Sequence, residues 1–144
     1  MKAVIVGTTV PRRRRPEVVI VHKDERALMT LAVALSDAPY EVTASEPADT
    51  LQTALRFVQH EPAAMIVALR GNELINDIRD LLSASDETAF VFLIPEMPPR
   101  AALARVMNTH GAAILCADEP TVVVVATLVA LLASRNAGKT RQSR

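Results

Sequence analysis

Apolar residues fall into five short blocks with amphipathic stretches between them, and this alternation organises the chain. The block over 63–69 is the clearest: seven consecutive apolar residues, opened by Pro62 and closed by Arg70 and Gly71, with no polar residue at alternate positions. A strand buried on both faces of a parallel sheet has this pattern, and the run is too short for a buried helix. Similar blocks at 18–21 and 40–44 precede it, and others at 89–94 and 112–116 follow. Residues 40–44 differ in alternating, with Tyr40, Val42 and Ala44 on one side, which predicts an edge strand with one wetter face.

Between the blocks the period changes. Leu28, Leu31, Ala32 and Leu35 recur at three and four residues and predict a helix over 25–36, with Asp24 placed as its N-cap. Leu51, Ala54, Leu55 and Val58 make the stripe of a second helix, opened at Ser45 and running to about His60, while Leu74, Ile75, Ile78, Leu81 and Leu82 mark a third. Pro98 and Pro99 lead into a fourth over about 100–109, closed by His110 and Gly111. The last covers about 121–134. Five strands separated by helices describe a repeating βα unit, and right-handed crossovers place helices on both faces of one parallel sheet. The predicted class is α/β, a doubly wound five-stranded sheet.

The last helix is unusual because no charged residue occurs from 122 to 133. A helix covering one face of a monomeric sheet should carry polar residues on its outer side, and here nothing marks that side. Four consecutive valines would also suit a strand, but alanine and leucine dominate the remainder and Asp118 to Thr121 suits a helix opening. The expectation is a homodimer contact through this helix, made by Val122, Val125, Leu128, Val129 and Leu132. Coverage by the N-terminal arm is the alternative.

Composition adds the boundaries. The 144 residues suffice for one core, half of them are apolar, and the only aromatics are Phe57, Phe90, Phe92 and Tyr40, so there is no stacking platform for nucleobases or sugars. Net charge is zero but unevenly placed: residues 1–16 hold five bases and no acid, 135–144 hold four bases and no acid, and 17–134 hold seven bases against sixteen acids. This divides the chain into a basic arm (1–16), a folded domain (17–134) and a basic flexible tail (135–144). A short strand over 3–6 could let the arm pair with a sheet edge, or the arm could remain loose. Arg12, Arg13, Arg14 and Arg15 lie between Pro11 and Pro16 and offer a contact for nucleic acid, an acidic protein surface or the acidic body of a second copy; a solvated linker explains them equally well. The longest apolar stretch, 122–133, is well short of the roughly 20 residues of a membrane helix. The expectation is a cytoplasmic protein that does not span a membrane.

Candidate chemistry is sparse. Cys116 is the only cysteine, which excludes an intrachain disulfide and a cysteine-cluster metal site, and it is read as a buried strand residue. A cluster of His22, Asp24, Glu25, Glu96, Asp118 and Glu119 is a candidate at the carboxyl ends of the strands, where open α/β sheets bind ligands. Lys23 would compete with a cation for those carboxylates, so they are read as helix caps and solvated loop residues. His60 and His110 sit at helix ends and need no catalytic role. Residues 137–140 have the end of a phosphate-binding loop but lack its first glycine and its strand-to-helix setting.

The order of elements, and residues 18–25 above all, resembles the receiver domain of bacterial two-component response regulators. The resemblance spans 17–134 and implies a flavodoxin-like sheet of order 2-1-3-4-5. Receivers take a phosphoryl group onto an aspartate at the end of strand 3, hold Mg²⁺ with an acidic pair after strand 1, and carry a Ser/Thr after strand 4 and a Lys after strand 5. Carried onto this chain, the phosphoacceptor position falls on Ala68 and the acidic pair on His22 and Lys23. The hydroxyl position falls on Ile94 or Pro95, the lysine on Ala117 or Asp118, and the aromatic switch of strand 5 on Ile114. A methyl group cannot form an acyl phosphate. The resemblance therefore implies a degenerate pseudo-receiver: not an enzyme, without cofactor or metal, working through dimerisation and an unidentified regulatory partner in signal transduction or transcription control. A small-molecule sensor using a pocket near Arg70 and Gly71, and a flavodoxin-like enzyme, are the alternatives.

Overall fold

The structure, a computed structural model, describes residues 15–36, 39–47, 50–70, 74–107 and 112–142. Strands β1 (Glu17–Val21), β2 (Glu41–Ala44), β3 (Ala64–Ala68), β4 (Ala89–Ile94) and β5 (Ala112–Cys116) alternate with helices α1 (Glu25–Ser36), α2 (Thr50–Val58), α3 (Leu74–Ala84), α4 (Arg100–Met107) and α5 (Thr121–Gln142). All strand pairs are parallel and the order is β2-β1-β3-β4-β5. The strand predicted from 63–69 is the central one, and every residue from Ala64 to Ala68 is buried.

The period-two geometry of the strands divides the core in two. Val18, Ile20, Ala64, Ile66, Val91 and Leu93 face α1 and α5, where Leu28, Leu31, Leu35, Val124 and Leu128 meet them. Val19, Val21, Met65, Val67, Phe90 and Phe92 face α2 and α3 through Ala54, Val58, Ile78 and Leu81. Phe90 and Phe92 stack at 5.3 Å. With so few aromatics, the aliphatic contacts on both faces carry the stability, at roughly 1.5–3 kcal/mol for each fully buried large side chain. β2 is an edge strand, as its alternation predicts, with Val42 turned partly to the core and Ala44 exposed.

At the amino end of the sheet, Thr88 is buried and its hydroxyl donates to the Pro62 carbonyl at 2.8 Å while lying 3.0 Å from Ser85 Oγ. Glu61, where α2 turns into β3, has φ of 52°, a left-handed conformation that favours glycine.

Three expectations are corrected. Helix α2 spans Thr50–Val58, shorter than predicted, because the Ser45 amide still bonds to the Ile20 carbonyl of β1 at 2.9 Å and so extends the sheet instead of opening the helix. Helix α5 does not stop at Ser134 but continues to Gln142; nothing between Ser134 and Gln142 is a proline, and the lone Gly138 costs only about 1 kcal/mol. Leu128 and Leu132, expected at a dimer contact, pack into the molecule's own core with 0% and 9% exposure, and Val125 lies partly buried against it. The sheet face needs large aliphatic side chains and takes these. The arm through Arg14, with its possible strand, and His110 and Gly111 lie outside the described residues.

Candidate functional site

Parallel pairing brings the carboxyl ends of β1, β3, β4 and β5 to one edge. Val21 is opposite Val67, Ala68 is opposite Leu93, and Ile94 is opposite Cys116. Two amides prolong the ladders beyond the strands, Leu69 to the Leu93 carbonyl at 2.9 Å and Ala117 to the Ile94 carbonyl at 2.7 Å. Because β2 lies on one side of β1 and β3 on the other, the chain changes direction between β1 and β3, the place where open α/β sheets leave a crevice.

A cavity of about 280 Å³ occupies that crevice. His22, Lys23 and Asp24 form one wall, Leu69 and Arg70 another, and Ala68, Leu93, Pro95 and Ala117 the apolar remainder. The expected positions Ala68, His22, Lys23 and Ala117 are thus brought together. Ile94 and Ile114 are not: both pack into the core on the α2 and α3 side, and Pro95 rather than Ile94 reaches the cavity. Glu25, Glu96 and Asp118 are absent from its lining, and Glu119 lines a neighbouring hollow between the starts of α1 and α5, together with Arg26 and Thr121. Leu93 was not anticipated as a wall residue. Its signal was only its place one residue before the end of an apolar block.

The carboxylate in this wall is already engaged. Asp24 Oδ1 accepts the Arg26 amide at 2.9 Å, which makes Asp24 the N-cap of α1. The Asp24 amide in turn donates to His22 Nδ1 at 2.9 Å, so Nδ1 is unprotonated and the ring proton belongs on Nε2. Burial pushes His22 below its ordinary value, the Asp24 charge opposes this and the Arg70 guanidinium reinforces it. Both the hydrogen bond and the pKa direction describe a neutral imidazole near neutral pH. Lys23 and Arg70 are exposed, and the described residues supply neither with an ion-pair partner.

Among the described residues no group of three or more His, Cys, Asp or Glu side chains is placed to hold a metal ion, and no helix is long and apolar enough to cross a membrane. Cys116 is free and half-buried at the end of β5.

No protein-family model matches the chain, and no curated protein matches it. Solved structures do. The signal receiver domain of a Luxo-type repressor protein from Vibrio parahaemolyticus is similar at a TM-score of 0.69 and 15% identity, covering 88% of this chain and 96% of that one. The receiver domain of an HD domain-containing protein from Pseudomonas fluorescens Pf-5 gives 0.67 and 20%, with 86% and 99% covered. The beryllofluoride-activated NtrC receiver domain gives 0.67 and 15%, with 84% and 97% covered. At these identities the likeness establishes the fold, which is the CheY-like receiver fold. The lining does not suit a divalent cation: among the described residues its one carboxylate, Asp24, accepts the Arg26 amide, and the Lys23 ammonium and Arg70 guanidinium stand in the same walls.

Proposed function

We propose that the protein is a regulatory module of bacterial signalling or transcription control that works by protein contact and without phosphotransfer. The observation that carries this reading is Ala68 at the end of the central strand, where the fold's phosphoacceptor would stand. Lys23 in the wall, and Pro95 and Ala117 in place of the hydroxyl and the lysine, support it, because phosphoryl transfer needs a nucleophilic oxygen and a cation held by carboxylates. Incubation with acetyl phosphate and Mg²⁺ should leave the intact mass unchanged. Stoichiometric phosphorylation would overturn the reading.

Partner contact is assigned to the outer face of α5, in a cytoplasmic protein that pairs with a second copy of itself. Val122 is 71% exposed and Val129 41%, and Ala126, Ala130 and Ala133 share the exposed side. This strip has no charge to repel a twin, and its alanines let two helices approach closely. Sedimentation over a concentration series should show dimers for the native chain and folded monomers for Val122→Glu with Val129→Glu. A native chain that stays monomeric at high micromolar concentration would remove the dimer from the proposal.

A further inference from the structure

We propose that the crevice between β1 and β3 reversibly binds a small organic phosphate, with Arg70 and Lys23 holding its oxygens and Ala68, Leu93 and Pro95 receiving its carbon skeleton. The inference rests on the reading that Ala68 abolishes phosphotransfer, and it replaces a covalent, metal-dependent use of the crevice by a non-covalent one of opposite charge.

Charge is the first argument. Two basic side chains line the cavity from the ends of two different strands, and among the described residues the only carboxylate in its lining is Asp24. That carboxylate accepts the Arg26 amide at the start of α1 and sets one negative charge against two positive ones. Like charges converging on one hollow repel, and an anion between them relieves the repulsion while gaining charge-assisted hydrogen bonds. Arg70 offers a planar fork of donors suited to phosphate, and Lys23 a mobile point charge. His22, with Nδ1 accepting a backbone amide, retains Nε2–H as a neutral donor in the same wall.

Size and polarity narrow the ligand. A volume of about 280 Å³ lies at the lower end of ordinary ligand sites. It admits a phosphate with a small body and excludes a dinucleotide. The apolar wall has a purpose only for a ligand with carbon in it. Ala68 is 8% exposed and lines the hollow with a methyl group.

The test is calorimetric titration of the full chain near neutral pH with two probes, inorganic phosphate and phenyl phosphate. Phenyl phosphate should bind about tenfold more tightly than inorganic phosphate, the gain expected from burying part of a ring. Arg70→Ala should weaken it about tenfold or more and Lys23→Ala several-fold, each with an unchanged melting temperature because both side chains are exposed. Arg79→Ala, an exposed cation on α3, should leave binding unchanged. Absence of heat with both probes at millimolar concentration, or binding indifferent to Arg70→Ala and Lys23→Ala, would overturn the proposal. Intact-mass measurement after acetyl phosphate and Mg²⁺ separates the two readings: a covalent adduct would overturn the loss of phosphotransfer and the non-covalent site with it, whereas silent calorimetry with an unmodified mass would overturn this site alone.

Discussion

The two ends of the sheet are built from the same five strands and treat charge in opposite ways. At the amino end Glu17, Glu41 and Glu61 line a shallow depression of about 560 Å³ with Arg15 and His60. At the carboxyl end Lys23 and Arg70 face a smaller hollow with one engaged acid. Polar groups at the amino end close the fold: the Thr88 hydroxyl bonds to Ser85 and to the Pro62 carbonyl at the entry of β3, and Glu17 accepts the Thr43 hydroxyl at 3.1 Å. Those at the carboxyl end divide their work, since Asp24 and His22 organise the start of α1 while Lys23 and Arg70 are exposed at the hollow. A net charge of zero hides this polarity. One end of a parallel sheet can be spent on stability while the other stays available for binding.

Substitutions at each end sharpen the contrast. The largest effect is expected at the amino end, where Thr88→Val leaves the Pro62 carbonyl and Ser85 hydroxyl without their buried partner. Chemical denaturation should show a loss of about 1–3 kcal/mol, with phenyl phosphate affinity unchanged. At the carboxyl end Asp24→Ala removes the N-cap and should cost about 1 kcal/mol while strengthening anion binding, because a negative charge of the wall is gone. Asp24→Asn separates the two effects: the cap is retained and only the affinity should rise. Glu61→Gly relieves the left-handed strain and should stabilise by up to about 1 kcal/mol, again without consequence for the crevice.

The smallest effect concerns pH. The folded pKa of His22 lies below its ordinary value of 6.5, so the unfolded chain binds more protons as pH falls past that value. The contribution to stability is therefore fully present above the ordinary value and declines as pH drops through it. His22→Asn should flatten the stability profile on that acidic side, read by melting temperature across the range. An unchanged slope would show that His22 is not the group responsible.

Much of the fold was legible along the chain because buried strands and amphipathic helices leave different periods. The apolar run over 63–69 announces β3, and Leu28, Leu31 and Leu35 announce the inner side of α1. The candidate site was half legible. His22 and Lys23 stand together after β1, and the resemblance to receivers drew attention to Ala68. Glu25, Glu96 and Asp118 looked equally close to a site, and their distance from the hollow depends on loop paths that carry no periodic signal.

By itself the sequence determined where the strands lie and that no carboxylate ends the central one. Those facts follow from local composition, since a buried strand needs apolar side chains whatever its neighbours. Tertiary structure decided two others. Arg70 joins His22 and Lys23 only because β3 pairs beside β1 with Val67 opposite Val21. The buried side of α5 was likewise undetermined, because a helix without charge from 122 to 133 has no polar stripe to orient it. The sheet chose Val124, Leu128 and Leu132 by the shape of its face, and so left Val122 and Val129 outside.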